Sequence, residues 1–196
     1  MSPGRLAERG TEADDAPAEL YAEARWYACY TRARHEKRVD GYLTRSGVES
    51  YLPLVPRLSH WKDRKKWVAW PLFPSYVFAR FTLRRMHEIL VVPGVSTIVR
   101  SRGYPTPIPE DELANVRRFA DAAVAAGVCP EVVPLVSEGD WVRIKEGAFQ
   151  GVEGWVVERR GRRRVLVGLR PIGQGLEVDV EARLLQVIPA PSWSKA

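Results

Sequence analysis

Cysteine is scarce, with Cys29 and Cys129 alone and far apart in 196 residues. Two isolated thiols make neither a disulfide framework nor a metal site, which fits a reducing cytoplasm. No apolar run approaches membrane-spanning length, and the first residues lack a charged-then-apolar secretory pattern. Histidine is equally sparse. His35, His60 and His87 have no Cys or carboxylate partner at ligand or triad spacing, and no Gly-Lys-Ser/Thr run would cradle a phosphate. These absences speak against an enzyme, a metal, a cofactor and a membrane partner.

What is present is charge, unevenly placed. The net charge is +6. Glu8, Glu12, Asp14, Asp15, Glu19 and Glu23 sit among Ala, Gly and Pro, in a segment with too little to bury. Residues 1–23 are therefore expected to form a disordered acidic tail. A basic region follows, holding Arg32, Arg34, Lys37, Arg38, Arg45, Arg57, Lys62, Arg64, Lys65 and Lys66. That asymmetry points to a polyanion such as nucleic acid, although any single cation also reads as part of a solvated face.

Arg25 to Arg32 is aromatic-rich and short, a strand by propensity. Thr31 is placed to cap a helix from about Ala33 to Arg45, ended by Ser46-Gly47. Val39, Tyr42 and Leu43 share one face of it, while Arg34, Lys37, Arg38, Gly41 and Arg45 line another. Gly41 costs about 1 kcal/mol against Ala in mid-helix, which suggests a close approach there. Val48 to Leu54 reads as a second strand. Arg57 to Trp70 reads as a hairpin turning near Lys62-Asp63-Arg64, with Trp61 and Trp67 flanking the turn.

Pro71 to Phe81 is expected to be a strand with large groups on both faces: Leu72, Pro74, Tyr76 and Phe78 on one, Phe73 and Val77 on the other. Pro71 and Pro74 suit an edge or a strand start. Such a strand is either a docking surface or an irregular start packed inside its own domain. A short helix over Leu83 to Leu90, a strand over Val95 to Arg100 and a helix from Glu110 to Ala126 ending at Gly127 complete an irregular α+β alternation.

Composition then changes. Residues 127–136 carry two prolines and no clear period, and read as a linker. After it come Trp141 to Ile144, Gly154 to Glu158, Arg164 to Leu169, Leu176 to Val180 and Leu184 to Pro189, with frequent glycines between. Five short strands imply a small closed barrel, and its β-branched residues favour a permanent β state. The Gly161-Arg162-Arg163 turn would lie between two of them.

Glu138-Gly139-Asp140-Trp141-Val142-Arg143-Ile144, with Glu146-Gly147-Ala148-Phe149-Gln150-Gly151 and Gly154, resembles a KOW motif, the mark of an SH3-like barrel. Upstream, Trp26-Tyr27, Leu72-Phe73-Pro74-Ser75-Tyr76-Val77-Phe78 and Pro93-Gly94-Val95 resemble the amino-terminal (NGN) domain of NusG-type transcription elongation factors. Tyr30 to Val39, Tyr51-Leu52-Pro53 and Trp61 to Trp67 are similar to the operon-specific RfaH-like and UpxY-like paralogues. Ser75 stands where NusG proteins usually have Gly. The resemblance implies an NGN domain over 24–126, a linker over 127–136, a KOW domain over 137–190 and a tail over 191–196.

By the same resemblance, the protein would be a cytoplasmic, monomeric transcription elongation and antitermination factor. Tyr30, Phe73 and Tyr76 would pack on the RNA polymerase clamp helices. Arg34, Arg38 and Arg45 would face the non-template DNA strand. Phe149 and Ile172 would form the KOW surface for ribosomal protein S10 or Rho; taken alone, they read as barrel core and loop apolar. A housekeeping NusG, or a KOW protein that binds ribosome or RNA without touching polymerase, are the alternatives.

Overall fold

The computed structural model describes residues 16–60, 65–135, 139–159 and 162–195. A short helix α1 (Glu19–Ala22) leads into β1 (Arg25–Thr31) and α2 (Glu36–Arg45). Then come β2 (Glu49–Tyr51), β3 (Leu54–His60), β4 (Lys65–Pro71) and β5 (Tyr76–Phe81). A 3-10 turn and α3 (Met86–Leu90) precede β6 (Val95–Ile98), β7 (Arg100–Ser101) and β8 (Tyr104–Pro105). The long helix α4 (Glu110–Ala126) is followed by β9 (Glu131–Pro134), β10 (Trp141–Ile144), β11 (Glu153–Arg159) and β12 (Arg162–Leu169). The chain closes with β13 (Gln174–Asp179), β14 (Leu185–Val187) and a 3-10 turn over Ser192–Lys195.

Two antiparallel sheets organise the molecule. The first has the order β2-β5-β1-β6, and period-two alternation along β1 splits its apolar residues between two layers. Tyr27 and Cys29 join Val39 and Leu43 of α2 and Ile89 of α3 on one side. Trp26 and Ala28 join Leu113, Val116 and Ala120 of α4 on the other. Burial pushes the Cys29 thiol up to about 12, so it packs as an inert apolar group. The second sheet runs β14-β10-β11-β12-β13-β9, with Val142, Ile144, Val165, Val167, Leu176 and Val178 turned to its core. The fold is α+β, with a helix-covered sheet followed by a β-rich unit.

Several sequence-based expectations shift. Residues 1–15 of the expected tail lie outside the described residues. The remainder folds back: Leu20 is buried, and Arg84 Nε donates to the Tyr21 carbonyl at 3.1 Å. Residues 131–134 of the expected linker form β9, which pairs with β13 from Glu131 to Pro134. The expected tail after residue 190 also packs, with Trp193 edge-on to Trp141 at 5.6 Å. Thr31 caps nothing, because it ends β1 fully buried; α2 starts at Glu36 with no side-chain cap. The hairpin turn near Lys62-Asp63-Arg64 and the residues 160–161 lie outside the described residues, while Arg162 and Arg163 begin β12.

The strand expected over Pro71 to Phe81 is broken at Leu72–Ser75. Pro74 and a left-handed Ser75 (φ 66°) make this a turn, closed by the Tyr76 N–H donating to the Phe73 carbonyl at 3.2 Å. Glycine adopts that conformation freely, whereas serine pays for it with a crowded Cβ. The turn is held from outside: buried Glu36 accepts the Ser75 N–H at 2.8 Å, and the Thr31 N–H donates to the Ser75 carbonyl at 2.8 Å. A hydrogen bond to a carboxylate is worth about 1.5–3 kcal/mol. Glu36→Ala is therefore expected to destabilise the protein by about that amount in chemical denaturation, with Glu36→Gln recovering most of it. Equal stability of Glu36→Ala and the parent would show that the carboxylate does not hold the turn.

Candidate interaction surfaces

The β1–β5 register sets Tyr30 opposite Tyr76 at the end of the first sheet. Their rings meet edge to face, with centroids 5.3 Å apart. Tyr30 is 42% exposed and Tyr76 is half-buried, and burial raises the Tyr76 hydroxyl pKa. Phe73 does not share this surface. It is fully buried and stands edge-on to Phe78 at 5.9 Å, because the Leu72–Ser75 turn carries it inward. Of the three aromatics expected to anchor a partner, the structure brings two together and makes the third their support.

The basic residues divide in a similar way. Arg38 and Arg45 flank Tyr42 on α2, with guanidinium carbons 5.5 and 4.8 Å from the ring centroid. Arg38 Nη2 also donates to the Tyr42 hydroxyl at 3.3 Å, and this bond lowers the Tyr42 pKa. Gly41 permits the arrangement: a Cβ there would come within 3.3 Å of Arg45 Nη1. The result is an exposed cation–tyrosine–cation stack on one face of α2. Arg34 is not part of it. It lies in the turn before α2 with φ 65° and lines a separate groove of about 370 Å³. Lys37, Val68, Trp70, Pro71 and Pro74 are among the residues that line that groove.

The third surface is a seam inside the protein. Phe149, expected to meet a second partner, is buried with its ring 5.2 Å from Phe119 of α4. Ile172 is half-buried in a 3-10 turn and packs on the same core. Around this contact, α4 reads the backbone of the β-rich unit. Asn115 Nδ2 donates to the Glu153 carbonyl, and Asn115 Oδ1 accepts the Glu153 N–H at 3.0 Å. Arg118 Nη1 donates to the Gly151 carbonyl at 3.1 Å, and Glu112 Oε1 accepts the Arg170 N–H at 2.7 Å. Residues 112, 115 and 118 lie three apart, so they line one helical face. None of these was singled out from the sequence. Their signal was two polar residues, Glu112 and Asn115, among the apolar positions of a helix.

Among the described residues, no cluster of His, Cys, Asp and Glu is placed to hold a metal ion. No helix among them is long and apolar enough to cross a membrane.

Glu112 makes the seam sensitive to pH. Its side chain is 1% exposed, and Oε2 has no partner among the described residues. Burial pushes its pKa up to about 7, against the lowering pull of the Arg170 N–H and the Arg170 charge. An acid with a raised pKa in the packed state holds its proton more tightly there. The seam is therefore strongest below the ordinary carboxyl range near 4.5 and weakens as pH rises from there through about 7. Thermal melts between pH 5 and 8 should show falling stability with rising pH, and Glu112→Gln should flatten that slope. An unchanged slope in Glu112→Gln would remove Glu112 as its source.

Residues 24–117 match the family model described as "Transcription termination factor nusG". Over 173 residues the chain is 23% identical to the transcription termination/antitermination protein NusG of Rickettsia bellii, which covers 80% of this chain and 86% of that protein. A solved structure on domain interaction in Thermotoga maritima NusG is 23% identical, covers 86% of this chain and 99% of its own, and has a TM-score of 0.46. The MjSpt4:Spt5 complex is 16% identical, covers 83% and 97%, and has a TM-score of 0.28.

Proposed function

From a NusG-type domain over residues 24–117, we propose that the protein is a transcription elongation and antitermination factor. It binds RNA polymerase through this domain, suppresses pausing or termination, and recruits a second partner through its β-rich unit. The observation that carries the reading is the Tyr30–Tyr76 pair, two edge-to-face rings at an accessible sheet end. Large aromatics held rigidly at a surface are the usual anchors of a protein interface. The clamp helices of the polymerase are the expected occupant, by resemblance to NusG-type factors. Phe73 contributes from below, by fixing the β5 end through Phe78.

The cation–tyrosine stack on α2 faces the non-template DNA strand in this reading, with Arg38 and Arg45 supplying charge and Tyr42 an aromatic edge. The second partner, ribosomal protein S10 or Rho, would use Phe149 and Ile172. Phe149 is committed to the seam with α4, so recruitment through it requires the β-rich unit to leave that helix. The factor acts as a monomer in the cytoplasm. Tyr30 to Val39 and Trp61 to Trp67 favour an operon-specific paralogue over a housekeeping NusG.

The double variant Tyr30→Ala/Tyr76→Ala is expected to bind core RNA polymerase at least tenfold more weakly, since a buried aromatic anchor is typically worth ~2 kcal/mol or more. Its circular dichroism should remain that of the parent. Undiminished polymerase binding by the folded double variant contradicts the assignment, and binding to ribosomes alone would favour a KOW protein without polymerase contact.

A further inference from the structure

The segment after β14 belongs to none of the surfaces above, yet it is firmly seated. The Ile188 N–H donates to the Trp141 carbonyl at 3.0 Å and carries the chain past the start of β10. The chain then turns back at Pro191. Ser194 donates to the Pro191 carbonyl from its N–H at 2.9 Å and from its Oγ at 2.7 Å, and it is only 1% exposed. This closed turn sets the Trp193 ring at right angles to Trp141. On another side the Trp193 ring centroid lies 5.8 Å from the Arg170 guanidinium carbon.

Arg170 is the residue whose N–H is accepted by Glu112 of α4. Trp193 thus rests on the β-rich unit through Trp141, and on a residue that α4 holds through Arg170. Pro191 and Trp193 also border a cavity of about 270 Å³ together with Ala114, Asn115 and Arg118 of α4 and with Glu153. Asn115 and Glu153 exchange two hydrogen bonds across the seam. The segment therefore forms one rim of the space beside those bonds.

We propose that Pro191–Ser194 is a strap that holds the α4 seam closed, and that a partner reaches Phe149 only once the strap has lifted. The inference rests on the reading that recruitment through Phe149 separates the β-rich unit from α4. Two features carry it. Hydrogen bonds across a seam keep their strength when apolar groups at the rim exclude water, and the Trp193 indole is such a group. The strap is also separable from the sheet, because it forms a 3-10 turn and is no member of the strand order. An edge-to-face ring and one cation are modest contacts, so they can be broken while β10 to β14 stay paired.

The test follows backbone amide exchange in the full chain at one fixed pH. The Glu153 and Arg170 N–H groups both donate to side chains of α4, so they report the seam. Val165 of β12 and Phe78 of β5 lie in central strands and report the two sheets. Trp193→Ala should speed exchange at Glu153 and Arg170 about tenfold, the upper end for losing one aromatic pair and its cation, and leave Val165 and Phe78 at the parent rate. Trp193→Phe should keep most of the protection. Should Trp193→Ala fail to fold, Trp193→Leu, which fills space without an aromatic edge, gives the same comparison. Parent-like exchange at Glu153 and Arg170 overturns the strap. Equal acceleration at all four amides overturns it too, by making Trp193 a part of the general core.

Binding of purified ribosomal protein S10 and of Rho then separates the two readings. Whichever of them the parent binds should bind Trp193→Ala more tightly. Faster seam exchange without that gain overturns the gating role of the strap. Faster seam exchange in a protein that binds neither, as parent or as variant, upholds the strap and overturns the recruitment reading.

Discussion

Helix α4 is buried on two faces, and the arrangement of everything else depends on it. By helical spacing, Leu113, Val116, Ala120 and Ala123 form the stripe packed with Trp26, Ala28 and Phe78 of the first sheet. Arg117 lies on the same side, 4.7 Å from the ring centroids of both Trp26 and Tyr51. Glu112, Asn115 and Phe119 form the adjoining stripe, which faces the β-rich unit. A helix with one apolar stripe would have ended the domain. This one has a second stripe that mixes a ring with polar groups, and so joins two units through a single continuous core.

The chemistry of that second face differs from the first. Asn115 offers both its amide donor and its acceptor to one residue, Glu153, in the manner of a neighbouring strand. Such a contact is worth about 0.5–1.5 kcal/mol per hydrogen bond. It depends on backbone geometry, so the identity of the Glu153 side chain matters little to it. The aromatic contact adds burial, and Glu112 adds a desolvated carboxyl whose comfort depends on pH. These contacts, together with the Arg118 and Arg170 backbone hydrogen bonds, join the two units along one face of α4.

Much of the architecture was legible from local rules. Alternation along Arg25–Thr31 separates Trp26 and Ala28 from Tyr27 and Cys29, and those two sets do face different layers. Acidic residues from Glu110 and a left-handed Gly127 delimit α4 where the sequence suggested. The misreadings share one cause: tertiary contacts overrode local pattern. The hydrophobic run around Phe73 looked like continuous strand, yet Glu36, far earlier in sequence, holds a turn there. β9 looked like linker because four residues ending in proline carry no period; its pairing comes from β13. Phe149 reads as barrel core from its own pattern, and only the resemblance put it on a partner surface; nothing local announces that α4 will cover it. Arg34 looked helical until its positive φ placed it in the preceding turn.

The central claim, that α4 joins the two units into one cooperative structure, is tested most directly by a double-mutant cycle between Phe119→Ala and Phe149→Ala in chemical denaturation. The rings are 5.2 Å apart, so the two losses should be non-additive by about 0.5–1.5 kcal/mol, within a single transition for the parent. Strictly additive losses, together with two separate unfolding transitions in the parent, would contradict it.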